Sequence, residues 1–293
     1  MNKHASFQDA YRKILTDVYH EGKDVKIGNE MVREITPYDF AITNPCDRLL
    51  NLRCRNKIYR YIFGELLWYL SGSDSTEFIS KYASFWRSLS DDDIHANSAY
   101  GKYIFRPMPI KGHGVKYDSY DETLRQESQW EFCKKLLKKD PNTRQAVIHI
   151  KPVQMYATAD TVCTLYLQFM LRDSRLDLHV GMRSNDVLFG TTYDVFMFTF
   201  LQELMASELG VQVGTYYHHA NNIHIYHRDF ATVEKMLKEL EKDKKAYKLP
   251  EIGKDFRTKE LNALLIIEEQ LSKLSDLGKD LLAMSLKGEC FYD

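Results

Sequence analysis

The sequence lacks a dominant charge of either sign. Its 293 residues carry 40 Lys and Arg against 41 Asp and Glu, a formal net charge of -1. A chain without a general basic field has little electrostatic attraction for nucleic acid. This balance is compatible with a small anionic ligand held by a few local arginines. We therefore expect no nucleic-acid partner.

Cysteines are few, and their spacing is irregular. The five stand at Cys46, Cys54, Cys133, Cys163 and Cys290, with no C-x-x-C pair. An odd, scattered set argues against a disulfide framework and against a zinc knuckle. Histidines crowd positions 218 to 227 without the helical spacing of a zinc site, so we expect no metal.

Long apolar runs are also missing. No run approaches the roughly 20 residues that a membrane-spanning helix needs. The amino terminus leads into a polar, amphipathic segment, whereas a secretory signal would have an apolar core. We therefore expect a reduced, soluble, cytoplasmic protein, in the host cytoplasm if its source is viral.

The hydrophobic pattern predicts an α/β (α+β) architecture. Hydrophobic residues make up 44% of the chain, enough for one large core. Apolar residues with helical spacing behind Ser6, a plausible N-cap, predict a first helix. Further helices are predicted over 58–70, 75–86, 122–138 and 195–209. Strand-like segments are predicted over 25–43, 146–150, 165–171, 176–180 and 213–226.

A reactive thiol is suggested by Cys163 and the Arg183-Ser184 pair twenty residues later. Two antiparallel strands joined by a short turn could place Cys163 beside Arg183, and a nearby positive charge favours the thiolate. Arg also has the forked donors that bind phosphate. Each residue has a plainer interpretation. Cys163 could be an inert small hydrophobe, and Arg183 could be a surface charge paired with Asp186.

Three further positions carry functional groups in unusual places. Glu65 falls inside an apolar helical pattern, where burial would raise its pKa into the range useful for proton transfer. His224 and Tyr226 share one face of a predicted strand, either as core residues or as ligands for a sugar hydroxyl. Asp194 stands at a predicted helix start, where an N-cap is the common explanation.

Taken together, these segments resemble the thymidylate synthase family from about Val25 to Asp229. Several motifs occur in the family's order and near its spacing. They are Glu65-Leu66-Leu67-Trp68, Tyr100-Gly101-Lys102, Asp140-Pro141-Asn142-Thr143-Arg144, Cys163, Arg183-Ser184-Asn185-Asp186-Val187, Gly190 and His224-Ile225-Tyr226. The resemblance implies a thymidylate synthase-like fold, with a mixed β-sheet covered by helices.

The resemblance also implies how a pyrimidine nucleotide would bind. Arg183 and Ser184 would hold the 5′-phosphate, and Arg144 would reach it across the interface of an obligate homodimer. The family's amino-terminal Arg-Gly appears here as Ile27-Gly28, so Lys26 would supply a point charge in its place. His224 and Tyr226 would bond the deoxyribose 3′-hydroxyl.

Catalytic roles follow from the same resemblance. Cys163 would attack C6 of the base, and Glu65 would run proton transfers through water. Asp186, also taken as catalytic, would lie near the folate or the base with Trp86 and Tyr100. The one-carbon donor would be 5,10-methylenetetrahydrofolate.

One departure from the family bears on the substrate. Thymidylate synthases carry Asn where this chain has Asp194. An ionised carboxylate only accepts hydrogen bonds, which suits the amino group of cytosine and opposes O4 of uracil. With Thr164 standing where synthases usually have His, the chain looks most like the bacteriophage deoxycytidylate hydroxymethylases. The implied reaction converts dCMP to 5-hydroxymethyl-dCMP.

Other activities stay open at this level. They are a CMP hydroxymethylase, a dCMP methylase, a divergent thymidylate synthase that uses dUMP, and a non-catalytic nucleotide- or RNA-binding regulator. Residues 1–250 are expected to form the catalytic domain. Residues 251–293, with leucines at helical spacing from Leu264 to Leu281, are expected to form a helical extension packed on it.

Overall fold

The structure is a computed structural model. It describes residues 1–50, 52, 54–55, 58–109, 126–152, 158, 160–242 and 249–257. No helix in these ranges is both long and apolar enough to cross a membrane.

Helices and strands are interspersed along the chain. The helices are α1 (Phe7–Glu21), α2 (Ile58–Ser71), α3 (Thr76–Ile79), α4 (Phe85–Leu89), α5 (Tyr100–Phe105), α6 (Gln129–Lys139), α7 (Thr192–Leu209) and α8 (Phe230–Lys242). The strands before α6 are β1 (Asn2–His4), β2 (Lys23–Ile27), β3 (Glu30–Ile35), β4 (Tyr38–Ile42), β5 (Met108–Pro109) and β6 (Gln126–Glu127). The later strands are β7 (Val147–His149), β8 (Thr164–Arg172), β9 (Arg175–Met182), β10 (Asn185–Asp186), β11 (Gln212–Ala220) and β12 (Ile223–Tyr226).

A mixed six-stranded sheet organises the core, in the order β1-β4-β11-β9-β8-β7. The antiparallel hairpin of β8 and β9 lies within it. Asp173 and Ser174 form its turn, both with positive φ (49° and 58°), which matches the twist of a two-residue hairpin. This turn sets the register from Arg172–Arg175 to Tyr166–Gly181, and a one-residue shift between Thr164 and Tyr166 then pairs Thr164 with Met182 at the other end.

Helices cover one face of this sheet. Helix α7 packs on β9 and β11, and almost every side chain from Val195 to Ala206 is buried. Ser6 is the N-cap of helix α1, and its hydroxyl accepts a hydrogen bond from the Asp9 amide. Along β8 the side chains alternate between buried and half-buried, so the opposite face of the sheet stays open among the described residues.

A smaller sheet lies beside the carboxyl end of β9, in the order β10-β12-β3-β2. Its strand β10 pairs in parallel with β12 and leads into a single π-helical turn, Val187–Thr191, before α7. The chain after β9 is thereby directed across the end of the main sheet.

Three predicted elements differ from the structure. The segment 75–86 is two short helices, α3 and α4, rather than one, because the chain turns between them to bury Trp86 against Trp68. The segment 213–226 is two strands in different sheets, separated at Asn221-Asn222. The predicted helix over 122–138 begins at Gln129, and its first residues, 122–125, lie outside the described residues.

The carboxy-terminal extension is described only in part. Within 249–257, Phe256 packs against Phe200 of α7 with ring centroids 5.6 Å apart. The Ile252 amide donates to Glu203 of α7 at 3.0 Å. The predicted amphipathic helix around Leu264 to Leu281 lies outside the described residues, so the domain division stays a prediction.

A buried ion pair ties the segment after β4 to α7. The guanidinium of Arg48, 1% exposed, bonds to the carboxylate of Glu203, whose side chain is 8% exposed. Because Glu203 also accepts the Ile252 hydrogen bond, one carboxylate links three parts of the chain. Breaking a buried pair leaves an uncompensated charge in the core.

We expect Glu203→Ala to lower the free energy of unfolding by about 3–5 kcal/mol, measured by urea denaturation. The double variant Arg48→Met/Glu203→Leu should recover most of the loss, because it removes both charges. Glu241→Ala, on the exposed side of α8, is the control and should change stability by less than about 0.5 kcal/mol. Equal losses in Glu203→Ala and Glu241→Ala would contradict this role of the ion pair.

Candidate active site

A cavity of about 870 Å³ opens where the carboxyl end of β9, the π-helical turn and α2 meet. Its size lies in the range of small-molecule sites. Its lining combines a thiol, a guanidinium and carboxyl groups with several aromatic rings. The lining includes Cys163, Arg183, Ser184, Asp186, Asp194, Glu65, Trp86, Tyr100 and Tyr226.

Cys163 and Arg183 meet because the β8–β9 ladder ends between them. The Arg183 amide donates to the Cys163 carbonyl at 2.9 Å. Its side chain turns back, with Nε on the Val162 carbonyl at 2.9 Å and Nη2 on the Thr161 carbonyl at 3.0 Å. Nη2 also lies 3.5 Å from Cys163 Sγ. Arg183 is therefore aimed at the thiol rather than paired with Asp186 on the surface.

The electrostatics of the thiol combine two opposing effects. Burial raises the pKa of Cys163, and the Arg183 charge lowers it. Carboxyl groups nearby, first Asp194, raise this pKa further. Burial prevails in this balance, so the pKa of Cys163 stays above its ordinary value even with Arg183 beside the thiol, and loss of the guanidinium would raise it further.

Glu65 lies on α2 and is 8% exposed. Its Oε1 accepts the hydroxyl of Tyr61 at 3.0 Å, and that phenol oxygen accepts Trp86 Nε1–H at 3.1 Å. Oε2 is buried without a hydrogen-bond partner among the described residues. Burial, then the negative charge of Asp194, raises the pKa of Glu65 to about 8. A carboxyl group in this state can hold and deliver a proton near neutral pH.

Asp194 is not an N-cap, in contrast to the plainer sequence interpretation. It lies in the first turn of α7, and its Oδ2 accepts a hydrogen bond from Asn185 Nδ2 at 2.8 Å. Burial raises the pKa of Asp194 to about 7, and the Asn185 bond lowers it. Asp186 instead caps the preceding π-helical turn, where its Oδ1 accepts from the amides of Leu188 and Phe189.

His224 and Tyr226 are neighbours on β12, with ring centroids 5.2 Å apart. Tyr226 lines the cavity. His224 is 7% exposed and is not among the described lining residues. His224 Nδ1 bonds to Asn222 Oδ1 at 2.9 Å, which leaves Nε2 as the other polar atom of the ring. Burial lowers the pKa of His224 and raises that of Asp186, and the two groups interact.

Tyr100 supports the segment that carries the thiol. Its phenol oxygen accepts the backbone amides of Cys163 and Thr164 at 3.1 and 3.2 Å. Ser184, the residue after Arg183, also lines the cavity.

Two predicted phosphate ligands are not brought to this cavity. Lys26 is exposed on β2, and Arg144 is exposed before β7. Neither is among the described residues of the cavity lining. The roles given to all these residues stay predictions.

Other lining residues were not predicted from the sequence. Tyr61 links Glu65 to Trp86, and its spacing four residues before Glu65 on a helix was a usable signal. Asn185 bonds to Asp194 with no local signal beyond its place beside Arg183-Ser184. Arg228, whose guanidinium lies 3.9 Å from the Tyr226 ring centroid, also had none.

No group of three or more His, Cys, Asp or Glu side chains in the described part of the chain is placed to hold a metal ion. The crowded histidines have other partners. Tyr216 contacts His218, Asp39 contacts His219, and Asp24 contacts His227.

Comparison with known proteins gives one consistent family. The thymidylate synthase family model matches residues 6–269. A deoxyuridylate hydroxymethyltransferase of Bacillus phage SP01 is 33% identical over 225 residues, which are 75% of this chain and 57% of that protein. A thymidylate synthase of Haloferax volcanii is 24% identical over 55% of this chain and 49% of its own length. The chain thus spans about half the length of these two relatives.

A solved structure of thermostable thymidylate synthase A from Bacillus subtilis has a TM-score of 0.66 at 19% identity. The match covers 88% of this chain and 93% of that one. At this identity the likeness shows the fold alone, and it confirms the predicted fold class.

We expect Arg183→Ala to slow alkylation of Cys163 by iodoacetamide at pH 7 by roughly tenfold, because loss of the guanidinium raises the thiol pKa by about one unit. Peptide mass spectrometry over a pH series measures the rate at Cys163. Arg175→Ala, at the other end of β9, is the matched control. An unchanged rate in Arg183→Ala would contradict the contact's effect on the thiol.

Proposed function

Because the chain belongs to the thymidylate synthase family, we propose that it transfers a one-carbon unit from 5,10-methylenetetrahydrofolate to C5 of dCMP. Hydration of the transferred carbon gives 5-hydroxymethyl-dCMP, and tetrahydrofolate is the second product. The observation that carries the proposal is the 3.5 Å contact between Arg183 and Cys163, in a cavity that also holds Glu65 and Asp194.

The chemistry assigned to these residues is conjugate addition. The Cys163 thiolate adds to C6 of the base and gives C5 the character of a carbanion. C5 then bonds to the methylene carbon of the folate, and loss of the C5 proton and departure of tetrahydrofolate leave an exocyclic methylene. Water adds to that methylene, and expulsion of the thiolate from C6 restores the aromatic base. Glu65 holds and moves protons through water during these steps.

The co-substrate used by this family is 5,10-methylenetetrahydrofolate, and the cavity suits a flat conjugated ring. Phe85 and Phe189 line it and are 49% and 51% exposed, which is unusual for such large apolar side chains. Trp86 and Tyr193 also line it. These faces can stack on a pterin ring next to the nucleotide.

Asp194 supports cytosine as the base. An ionised carboxylate accepts a hydrogen bond from the cytosine amino group and repels O4 of uracil. An unpaired buried polar group costs about 1–3 kcal/mol, and sites built on such contacts discriminate strongly between analogues. Ser184 beside Arg183 supports deoxyribose over ribose more weakly.

Deoxyuridylate hydroxymethylation is the second candidate. The phage SP01 relative bears that name at 33% identity, so a hydroxymethyl product has support from a relative that acts on the other base. Transfer of a methyl group, as in thymidylate synthases, would need hydride to reach the exocyclic methylene before water.

The test of the proposed function is to incubate the protein separately with dCMP, dUMP and CMP, each with methylenetetrahydrofolate, and to weigh the products. We expect a gain of one CH₂O on dCMP. Cys163→Ser should abolish it, while Cys46→Ser, outside the cavity lining, should not. A gain of CH₂, or preferred turnover of dUMP or CMP, would overturn the proposed reaction.

We further propose that the active unit is a homodimer formed through the open face of the main sheet. This face carries half-buried side chains, among them Tyr166, Gln168 and Met170. The rings of His179 and Tyr217 stack there at 4.5 Å. Gln168 Nε2 donates to the Arg144 carbonyl at 2.9 Å. Arg144 therefore lies beside this face and outside its own cavity, where it could reach the phosphate bound by a second copy.

A mixing experiment tests the shared site. Arg144→Ala and Cys163→Ala should each show little activity, and a refolded mixture should regain it, because one cavity in a mixed dimer has both intact groups. A mixture of Cys163→Ala with Arg183→Ala is the control, since each cavity then lacks one of its own residues. A monomer in sedimentation, or no recovery in the first mixture, would contradict the proposal.

A further inference from the structure

A buried amide holds the carboxyl group of Asp194 from one side. Asn185 is 2% exposed, and its Nδ2 donates to Asp194 Oδ2 at 2.8 Å. The hydroxyl of Thr191 donates to Asn185 Oδ1. A carboxylate can only accept, so the amide nitrogen must face Asp194, and the Thr191 hydroxyl fixes the oxygen on the other side.

The backbone of Asn185 is fixed as well. Its amide donates to the Asn222 carbonyl at 2.8 Å, within the parallel pairing of β10 with β12 that sets Asn185 opposite Ile223. The side chain therefore starts from a backbone that is held in the smaller sheet.

Because Gly190 has no side chain, there is room beside it for the hydrogen bond between Asn185 and Asp194. A Cβ at Gly190 would lie 2.9 Å from Asn185 Nδ2 and 3.4 Å from Asp194 Oδ2. The nearer distance is too short for a carbon and an amide nitrogen, so a side chain there would push the amide off the carboxyl group. The π-helical turn thus brings a residue without Cβ to the point where the hydrogen bond forms.

We propose that Asn185 is a positioning residue that sets the choice between cytosine and uracil, by holding Asp194 in one rotation with Oδ1 directed to the base. The inference rests on the proposed function, because it assumes that Asp194 reads the base edge. The donated hydrogen bond also stabilises the ionised carboxylate, the form that accepts from cytosine and opposes uracil.

The charge of Asp194 depends on the groups around it. Burial raises its pKa to about 7, the Asn185 bond lowers it and the charge of Asp186 raises it. The negative charge of Asp194 raises the pKa values of other groups in four parts of the fold. They are Glu65 and Tyr69 on α2, Tyr100 on α5, Tyr216 on β11 and Cys163 before β8.

Protonation changes what the carboxyl group can recognise. Below a pH of about 7 the carboxyl group carries a proton, and an O–H at Oδ1 can donate to O4 of uracil, which the ionised carboxylate repels. The preference for dCMP over dUMP should therefore fall as the pH falls through about 7. Without the Asn185 bond the pKa of Asp194 rises, so the loss of preference should move to higher pH.

The experiment compares kcat/KM for dCMP and dUMP, and the Kd of each nucleotide, from pH 6 to 9 in wild type and Asn185→Ala. We expect the dCMP preference at pH 8 to fall by roughly tenfold in the variant, and the pH midpoint to rise by about one unit. Thr191→Val keeps the side-chain volume and should give a smaller change in the same direction. Asn142→Ala, on the exposed surface before β7, should change neither quantity.

The outcomes separate the two proposals. A wild type that prefers dUMP at every pH overturns the proposed substrate and, with it, the role of Asn185. A wild type that prefers dCMP while Asn185→Ala and Thr191→Val keep its ratio and midpoint overturns the role of Asn185 alone. If a variant loses turnover, the ratio of the two Kd values tests the role of Asn185. If Asn185→Ala does not fold, Thr191→Val provides that test.

Discussion

The antiparallel register of β8 and β9 is the constraint on which the site depends. The ladder starts at the two-residue turn of Asp173 and Ser174, shifts by one residue between Thr164 and Tyr166, and ends with the Arg183 amide on the Cys163 carbonyl. A further shift of one residue would send alternate side chains to the opposite face of the sheet. The guanidinium would then lose its place 3.5 Å from the thiol, and the buried thiol would lose the charge that favours its ionised form.

A second constraint is the burial of acidic groups around that thiol. Glu65 and Asp194 have their pKa values raised to about 8 and about 7, chiefly by loss of solvent. Among the described residues, each has one neutral hydrogen-bond donor, Tyr61 for Glu65 and Asn185 for Asp194, and no basic partner. The protein thus keeps two carboxyl groups that can change protonation near neutral pH, one suited to proton transfer and one in a place to read a base edge. The fixed donors set how each group is oriented.

Much of the fold and part of the site could be predicted from the sequence, because the relevant signals are local. The N-cap at Ser6, the apolar α7 and the alternating β8 follow from residue type and spacing within a few positions. The split at 75–86 could not be predicted in this way, since it depends on Trp86 packing on Trp68. The same holds for the place of Lys26 outside the described cavity lining, because whether a side chain lies in a cavity is decided by how distant elements pack. Family resemblance named Asp194, yet its N-cap interpretation failed, since a capping preference carries no information about a buried neighbour.

By itself the sequence determined which chemical groups are present and on which elements they lie, since helical and strand periodicities are properties of short segments. It also determined the family, because many motifs kept their order. Only the tertiary structure decided that Arg183 contacts Cys163, that Glu65 Oε2 has no partner among the described residues, and that Asn185 faces Asp194. The physical reason is that hydrogen-bond geometry and solvent exclusion depend on atoms far apart in the chain, and these two quantities set the charge of a carboxyl group.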